Sequence, residues 1–463
     1  MSSHERSVTR ELLRKYDKPG PRYTSYPTAV EFTDEFDEAA YRGRLARASQ
    51  SAKEPLSLYL HLPFCEERCT FCGCMVVITR KRQVAARYLD YIHREIAMLA
   101  DGLGDRRRVV QYHWGGGTPT YLSLEQMEKL HSVVAEHFDI DPKGEVALEV
   151  DPRVTSLEQV DLLRSLGFNR LSMGVQDFTP KVQEAVNRIQ SVEQTRTLFE
   201  HARRIGFASI NIDLIYGLPF QTLETFAESV DSVIAMRPDR VAVYSFAHVP
   251  WIRGHQKFID PKDLPSPELK IELFAEAMHR FLDAGYSQIG MDHFALPEDE
   301  LAIASAERTL HRNFMGYTVR PAPDMVGAGV SAIGDVSGAF AQNVKKLSGY
   351  YEALDVGRFP VERGYLLDDD DKLRRYVITQ LMCNFRVERV DVEKRFGVDF
   401  DSYFGAELEE LEAGPVAHGF LELLPHGLEV TPRGHLFIRN VCMTFDRYLR
   451  AKTQDKPVFS RTV

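Results

Sequence analysis

Four of the six cysteines fall within ten residues. They are Cys65, Cys69, Cys72 and Cys74, in the segment YLHLPFCEERCTFCGC. Thiols packed this closely in a chain of this size point to a metal site rather than a disulfide framework. The spacing C-x3-C-x2-C lets Cys65, Cys69 and Cys72 hold three irons of a cubane 4Fe–4S cluster and leaves the fourth iron open. A structural zinc site usually takes two separated ligand pairs, and no second CxxC or HxxxH lies downstream. A closed zinc site with Cys74 as fourth ligand is the alternative, but one residue between the last two thiols makes a cramped tetrahedron. Cys74 is read instead as a local structural or substrate-side residue. Cys383 and Cys442 stand alone and read as buried apolar residues.

The elements around this cluster follow a repeating pattern. Short β-rich runs at Leu56–Leu62, Val109–Trp114, Val146–Val150, Arg170–Val175, Ser209–Ile215 and Arg240–Phe246 alternate with helical runs near 83–101, 123–138, 156–166, 191–205 and 222–236. Six strand–helix units in series predict a parallel α/β fold, a partial (β/α)6 barrel of the TIM type. The cysteine loop directly follows the first strand, on the rim where such barrels carry their chemistry. Along that strand Tyr59 and His61 share the face opposite Leu56, Leu58, Leu60 and Leu62. A glycine run, Gly115-Gly116-Gly117-Thr118, follows the second strand and lets backbone approach a ligand closely. The division expected is an N-terminal arm and helix over 1–54, a catalytic partial barrel over 55–345, and a mainly helical domain over 346–463. In that last part, helices near 370–383, 390–397, 402–418 and from about 433, with strands Leu421–Leu424 and Gly427–Val430, resemble a winged-helix module.

Composition narrows the function classes. Hydrophobic residues make up 44% and charged residues 27%, a globular profile that excludes disorder, collagen and coiled coil. The 57 basic and 67 acidic residues give a net charge of −10, the wrong sign for a protein that lives on phosphate backbones, so no nucleic-acid partner is expected. No apolar run reaches the length of a membrane span, and Met1–Lys18 has no apolar core of a secretory signal.

An aromatic residue before the third cysteine (Phe71), a first-strand location and a glycine motif after the second strand together resemble the radical S-adenosylmethionine (SAM) enzymes. Further segments narrow this: PGPRYTSYPTA, HWGGGTPTYL, LEVDPR, GFNRLSMGVQDF, NIDLIYGLPFQT, IGMDHFA, LHRNFMGYT and CNFR. With them the chain resembles the oxygen-independent coproporphyrinogen III oxidases over nearly its full length. Haem chaperones, the related alternative, usually lack the fourth cysteine, and the proline-rich arm is short or missing in them. The resemblance implies one 4Fe–4S cluster, two SAM molecules and a 5′-deoxyadenosyl radical that starts decarboxylation of two propionates of coproporphyrinogen III. It places the first SAM against Tyr59, Gly116, Glu149, Ala247 and Ile333. The second would meet Phe71, Gly117, Thr118, Gln176, Arg188 and Asp213. Tyr59 and His61 are the catalytic candidates. An electron donor such as a flavodoxin or ferredoxin, a monomer and a cytoplasmic location are also implied.

Cationic partners for the propionates are sought among Arg22, Arg312 and Arg320. One departure from the family pattern is Met315, where NFQGY would place glutamine; a thioether cannot replace an amide hydrogen bond. Asp368–Asp371 reads as a helix cap rather than a cation site. The basic triplets Arg80-Lys81-Arg82 and Arg106–Arg108 read as solvated loops. His293 is left open between a ligand and a packed ring.

Overall fold

The computed structural model describes residues 10–451, 459 and 461–462. Six strands alternate with helices as the sequence pattern requires: β1 Leu56–Leu62, β2 Arg108–Gly116, β3 Asp139–Val150, β4 Arg170–Gln176, β5 Ser209–Tyr216 and β6 Arg240–Ser245. Each pairs in parallel with the next. The leucines of β1 are fully buried against the outer helices, while Tyr59 and His61 point the other way. β3 starts at Asp139 rather than Val146. Its Asp-Pro-Lys-Gly stretch, 141–144, bulges between the pairs Val109–Ile140 and Gln111–Glu145, where the register shifts.

The sheet does not close. Beyond β6 come the antiparallel strands His293–Ala295 and Ser287–Gly290; beyond β1 comes Asp324–Ala328, parallel to it, followed by three antiparallel strands ending at Val361–Leu366. These make twelve strands in an open order, with the six parallel units at its centre. The hairpin His311–Asn313 and Gly316–Thr318 stops the N-terminal end of the barrel. Asn313 Nδ2 donates to Gln111 Oε1 (2.8 Å), which also accepts from Ser57 Oγ (2.9 Å), and Thr318 Oγ1 donates to the buried Glu145 (2.9 Å). Phe314, on the hairpin turn, packs with Phe32, Phe340 and Ile333.

A second apolar core joins the arm to the C-terminal helices. Tyr23 and Tyr26 sit with Ile289, Leu301 and Tyr317 against Leu381, Cys383, Val441 and Cys442, both cysteines being fully buried. Tyr23 donates to Asp446 (2.9 Å), and the buried Arg439 donates to the carbonyls of Pro21 and Gly20. The helix expected over 402–418 is broken into Phe400–Tyr403, Gly405–Leu411 and a wide turn Glu412–Val416 that contains Pro415, which has no N–H for the ladder. The last helix starts as a tight turn, His435–Phe437, and is regular only over Ile438–Thr444. A third strand, Arg386–Glu388, joins Gly427–Val430 and Leu421–Leu424. Asp368 caps the helix Asp369–Asn384, accepting from Asp371 N (2.7 Å). No helix among the described residues is long and apolar enough to cross a membrane.

Arg106 corrects the reading of its triplet as a solvated loop. Its side chain is 1% exposed, pairs with Asp324 (2.5 Å) and donates to the carbonyls of Glu54, Pro55 and Ala48. It thereby ties the entry to β1 to the strand beside it. Replacing one member of a buried pair leaves the other charge uncompensated. Arg106→Met is therefore expected to lower unfolding free energy by about 3–5 kcal/mol, measured by denaturant titration; a loss under ~1 kcal/mol would contradict this role.

Candidate active site at the cysteine loop

The cysteine loop leaves β1 at Pro63 and returns beside it. Val77 N donates to Pro63 O (2.7 Å) and Thr79 N to Cys65 O (3.0 Å). The glycine run makes this possible. Gly117 N donates to Leu62 O and Thr118 N to Phe64 O, and a Cβ on Gly117 would lie 2.6 Å from the Pro63 carbonyl carbon. Gly116 has φ +114, and a Cβ there would meet His61 at 2.6 Å. Glycine is required at both positions by space, and at Gly116 also by backbone conformation.

The loop opens onto a cavity of about 600 Å³ at the C-terminal ends of the strands. Of the residues expected from sequence, Cys65, Cys69, Cys72, Phe71, Gly116, Gly117, Thr118, Glu149, Gln176, Arg188 and Asp213 all line it. Tyr59 and His61 stand behind that lining. His61 Nε2 is 3.0 Å from Met75 O, which can only accept, so this nitrogen carries the proton and Nδ1 accepts from Tyr59 O–H (3.0 Å). Burial holds the ring below the ordinary histidine range, so it is neutral. Ala247 lies outside the lining, its carbonyl accepting from Gln256, which also donates to Phe71 O. Ile333 is packed in the apolar cluster with Phe314.

The electrostatics depend also on Asp151, Arg153 and His113, which sequence reasoning did not assign. Asp151, buried, accepts from Arg153 (2.7 Å) and Arg188 (3.0 Å). Both guanidinium groups lie 3.7 Å from Cys69 Sγ. Asp151 and Arg153 fall inside the LEVDPR string, where only Glu149 was singled out; an acid and a base two apart just beyond a strand were the available signal. Burial works against ionisation of Asp151, but Arg188 and Arg153 outweigh it and hold the carboxyl low. Glu149 behaves alike: burial opposes its charge, while His113 (3.7 Å) and the Gly116 N–H (3.0 Å) favour it. Its side chain is 45% accessible because it faces the open cavity. His113 in turn stacks on Tyr59. Asp213 differs: burial, with Glu149 adding repulsion, pushes it up to about 7 against the stabilising bond from Asn211 (2.7 Å).

The donor set fits an iron–sulfur cluster. Three soft thiol ligands share one loop and one cavity, Cys65 is 3.4 Å from the Thr118 hydroxyl, and two arginines face Cys69. Among the described residues no three His, Cys, Asp or Glu side chains converge on a single metal ion. Cys74 lines the same cavity, and its N–H lies 3.4 Å from Cys72 Sγ. The remaining open readings resolve simply. His293 is a packed ring, edge-on to Tyr244 and Tyr317 and 2.9 Å from Asp292. Arg80 and Arg82 are exposed and ion-paired with Glu67 and Glu66.

Residues 59–233 match the Radical SAM superfamily profile and residues 367–437 the HemN C-terminal domain profile. The chain is 47% identical over 453 residues to the oxygen-independent coproporphyrinogen III oxidase of Escherichia coli (strain K12), covering 98% of each. It is 45% identical over 458 residues to the enzyme of that name from Pseudomonas aeruginosa, again covering 98% of each. The solved structure of coproporphyrinogen III oxidase (HemN) from Escherichia coli, described as a radical SAM enzyme, superposes with a TM-score of 0.90 at 45% identity, over 96% of this chain and 100% of that one.

Asp151 touches no thiol, yet orients both arginines that do. Outer-shell partners of metal ligands typically carry about 10–100-fold in metal affinity. Asp151→Asn is expected to lose iron in that range on chelator challenge after anaerobic reconstitution; iron retention equal to the parent would remove Asp151 from this role.

Proposed function

The chain belongs to the oxygen-independent coproporphyrinogen III oxidases, within the radical SAM superfamily, and from that premise we propose that it converts two propionate side chains of coproporphyrinogen III to vinyl groups. The product is protoporphyrinogen IX, and each propionate loses CO2 and two hydrogens. The observation that carries this reading is the single cavity that gathers three loop cysteines with Glu149, Asp213 and Arg188.

The radical SAM family implies a 4Fe–4S cluster and SAM. Cys65, Cys69 and Cys72 would hold three irons, and when bound, cluster and SAM together supply a 5′-deoxyadenosyl radical. The protein's task is placement and exclusion of water. Glu149, charged and open to the cavity, would accept hydrogen bonds from hydroxyl or ammonium groups of one SAM beside Gly116, with Tyr59 and His61 fixing the wall behind it. A second SAM would be held by Phe71, Gly117 and Thr118, with Arg188 available to its carboxylate and Gln176 and Asp213 to its polar groups. Gln176 Oε1 is buried with no partner in the protein, which suits a donor from a ligand. The reading also includes an external one-electron donor and a single-chain enzyme of the cytoplasm.

Among the three arginines weighed for the propionates, Arg22 is committed to the buried Asp292, and Arg320 is exposed. Arg312 is half-buried over the Tyr317 ring (4.9 Å), has no carboxylate partner among the described residues, and its Nε is buried and unpaired. We assign it to a substrate carboxylate. Met315, in the turn of the same hairpin, has its N–H satisfied by Asn313 (2.9 Å), so the backbone there needs no amide side chain.

Anaerobic turnover with dithionite, SAM and coproporphyrinogen III, read by product mass, tests the reaction. Loss of two CO2 and four hydrogens is expected. Stoichiometric haem binding without vinyl product would select the chaperone reading instead. Cys65→Ala, Cys69→Ala and Cys72→Ala are expected to abolish cluster and SAM cleavage together. Arg312→Leu removes a charged hydrogen bond worth about 1.5–3 kcal/mol, so KM for the porphyrinogen rises ~10–100-fold while substrate-free SAM cleavage is unchanged.

A further inference from the structure

The segment Trp251–Phe258 lies just past β6 and against the outside of the cysteine loop. His255 Nε2 is 2.8 Å from Cys72 O, and Gln256, fully buried, donates to Phe71 O (3.1 Å). Ile259 anchors the segment in the apolar cluster that includes Phe71. Its inner side is thus built onto the backbone of the third ligand. Its outer side is apolar and open: Trp251 is 57% exposed, Ile252 52% and Phe258 83%. Nothing in the fold's packing accounts for three large apolar side chains held in water within eight residues.

The surroundings are positive. Arg253 and Lys257 lie on the segment, Arg68 reaches His255 from the cysteine loop (3.3 Å), and Lys345 lies near Arg253. None of these four has an ion-pair partner among the described residues, although the chain as a whole carries −10. An apolar centre with a basic rim suits a partner with an acidic surface, since complementary charge speeds encounter and sets orientation. The contact with the Cys72 and Phe71 carbonyls says what the partner would do.

We propose that Trp251, Ile252 and Phe258, with Arg68, Arg253 and Lys257 around them, form the docking surface for an acidic one-electron carrier protein that reduces the cluster. This rests on the radical SAM reading of the cavity. The carrier is oxidised by one electron and the cluster reduced by one; no atom is transferred. Such encounters are small and transient, so a few exposed side chains decide them.

The test uses the reconstituted holoprotein and an acidic flavodoxin in its hydroquinone form. Trp251→Ser with Phe258→Ser, and separately Lys257→Glu, are exposed changes that leave the cavity intact. Flavodoxin binding by calorimetry and bleaching of the cluster absorbance by stopped flow are compared with bleaching by dithionite. The double variant is expected to weaken binding and slow flavodoxin-driven reduction at least ~10-fold, and Lys257→Glu to flatten the salt dependence. Dithionite-driven reduction and SAM cleavage should match the parent. Unchanged flavodoxin kinetics, or equal slowing with both reductants, would overturn the docking surface. So would co-sedimentation of the parent with anionic vesicles, or a parent dimer dissociated by the double variant, either of which would be lost flavodoxin-independently. Failure of the parent to cleave SAM with dithionite would instead overturn the proposed reaction, with flavodoxin binding still deciding the surface.

Discussion

A single buried carboxylate organises the chemistry of the cavity. Asp151 holds Arg153 and Arg188 in fixed positions, and those two cations face the sulfur of Cys69. Without the arginines, a thiolate-rich cluster would sit in a pocket that already carries Glu149 and Asp213. Without Asp151, two guanidinium groups would repel each other in a confined space. The triad therefore lets anionic and cationic ligands share one small volume. It also separates the two acids that face it: Glu149 stays charged through His113 and a backbone N–H, while Asp213, deeper and hydrogen-bonded to Asn211 and Ser172, titrates near neutrality.

The barrel around this cavity is open by design of its strand order, and other parts of the chain fill what the sheet leaves. The hairpin carrying Met315 stops the lower end through Gln111 and Glu145. The arm closes the flank through Arg22 on Asp292, next to His293 and Tyr244. Tyr244 belongs both to the cavity lining and to this flank. Arg312 lies over Tyr317 on the hairpin, so what the sheet leaves open is filled from separate stretches of sequence.

How far this was legible depends on whether the cause is local. The alternation in Leu56–Leu62 and the thiol spacing are properties of adjacent residues, and both strand and ligand loop follow from them. The glycines at 116 and 117 announced a close approach, though not that His61 and Pro63 are what they approach. Arg106 looked like one cation among three because the acid that buries it, Asp324, lies 218 residues away. Asp151 and Arg188 are likewise joined only by the fold. Ala247 and Ile333 were taken from family resemblance alone, since neither spacing nor periodicity says which way a small or aliphatic residue faces. The helix expected through 402–418 overlooked Pro415, whose missing N–H opens a wide turn.

The arm is held by the far end of the chain: Lys18 N by Thr462, Tyr23 by Asp446, and the Pro21 carbonyl by Arg439. During synthesis these early residues must wait for the last-made ones to leave the ribosome. The loop of Cys65, Cys69 and Cys72 takes its contacts from Pro63, Val77, Thr79, Arg153 and Arg188, none of which belongs to that tie. Building the ligand loop and tying down the arm are thus separate tasks, and the second belongs to the C-terminal segment.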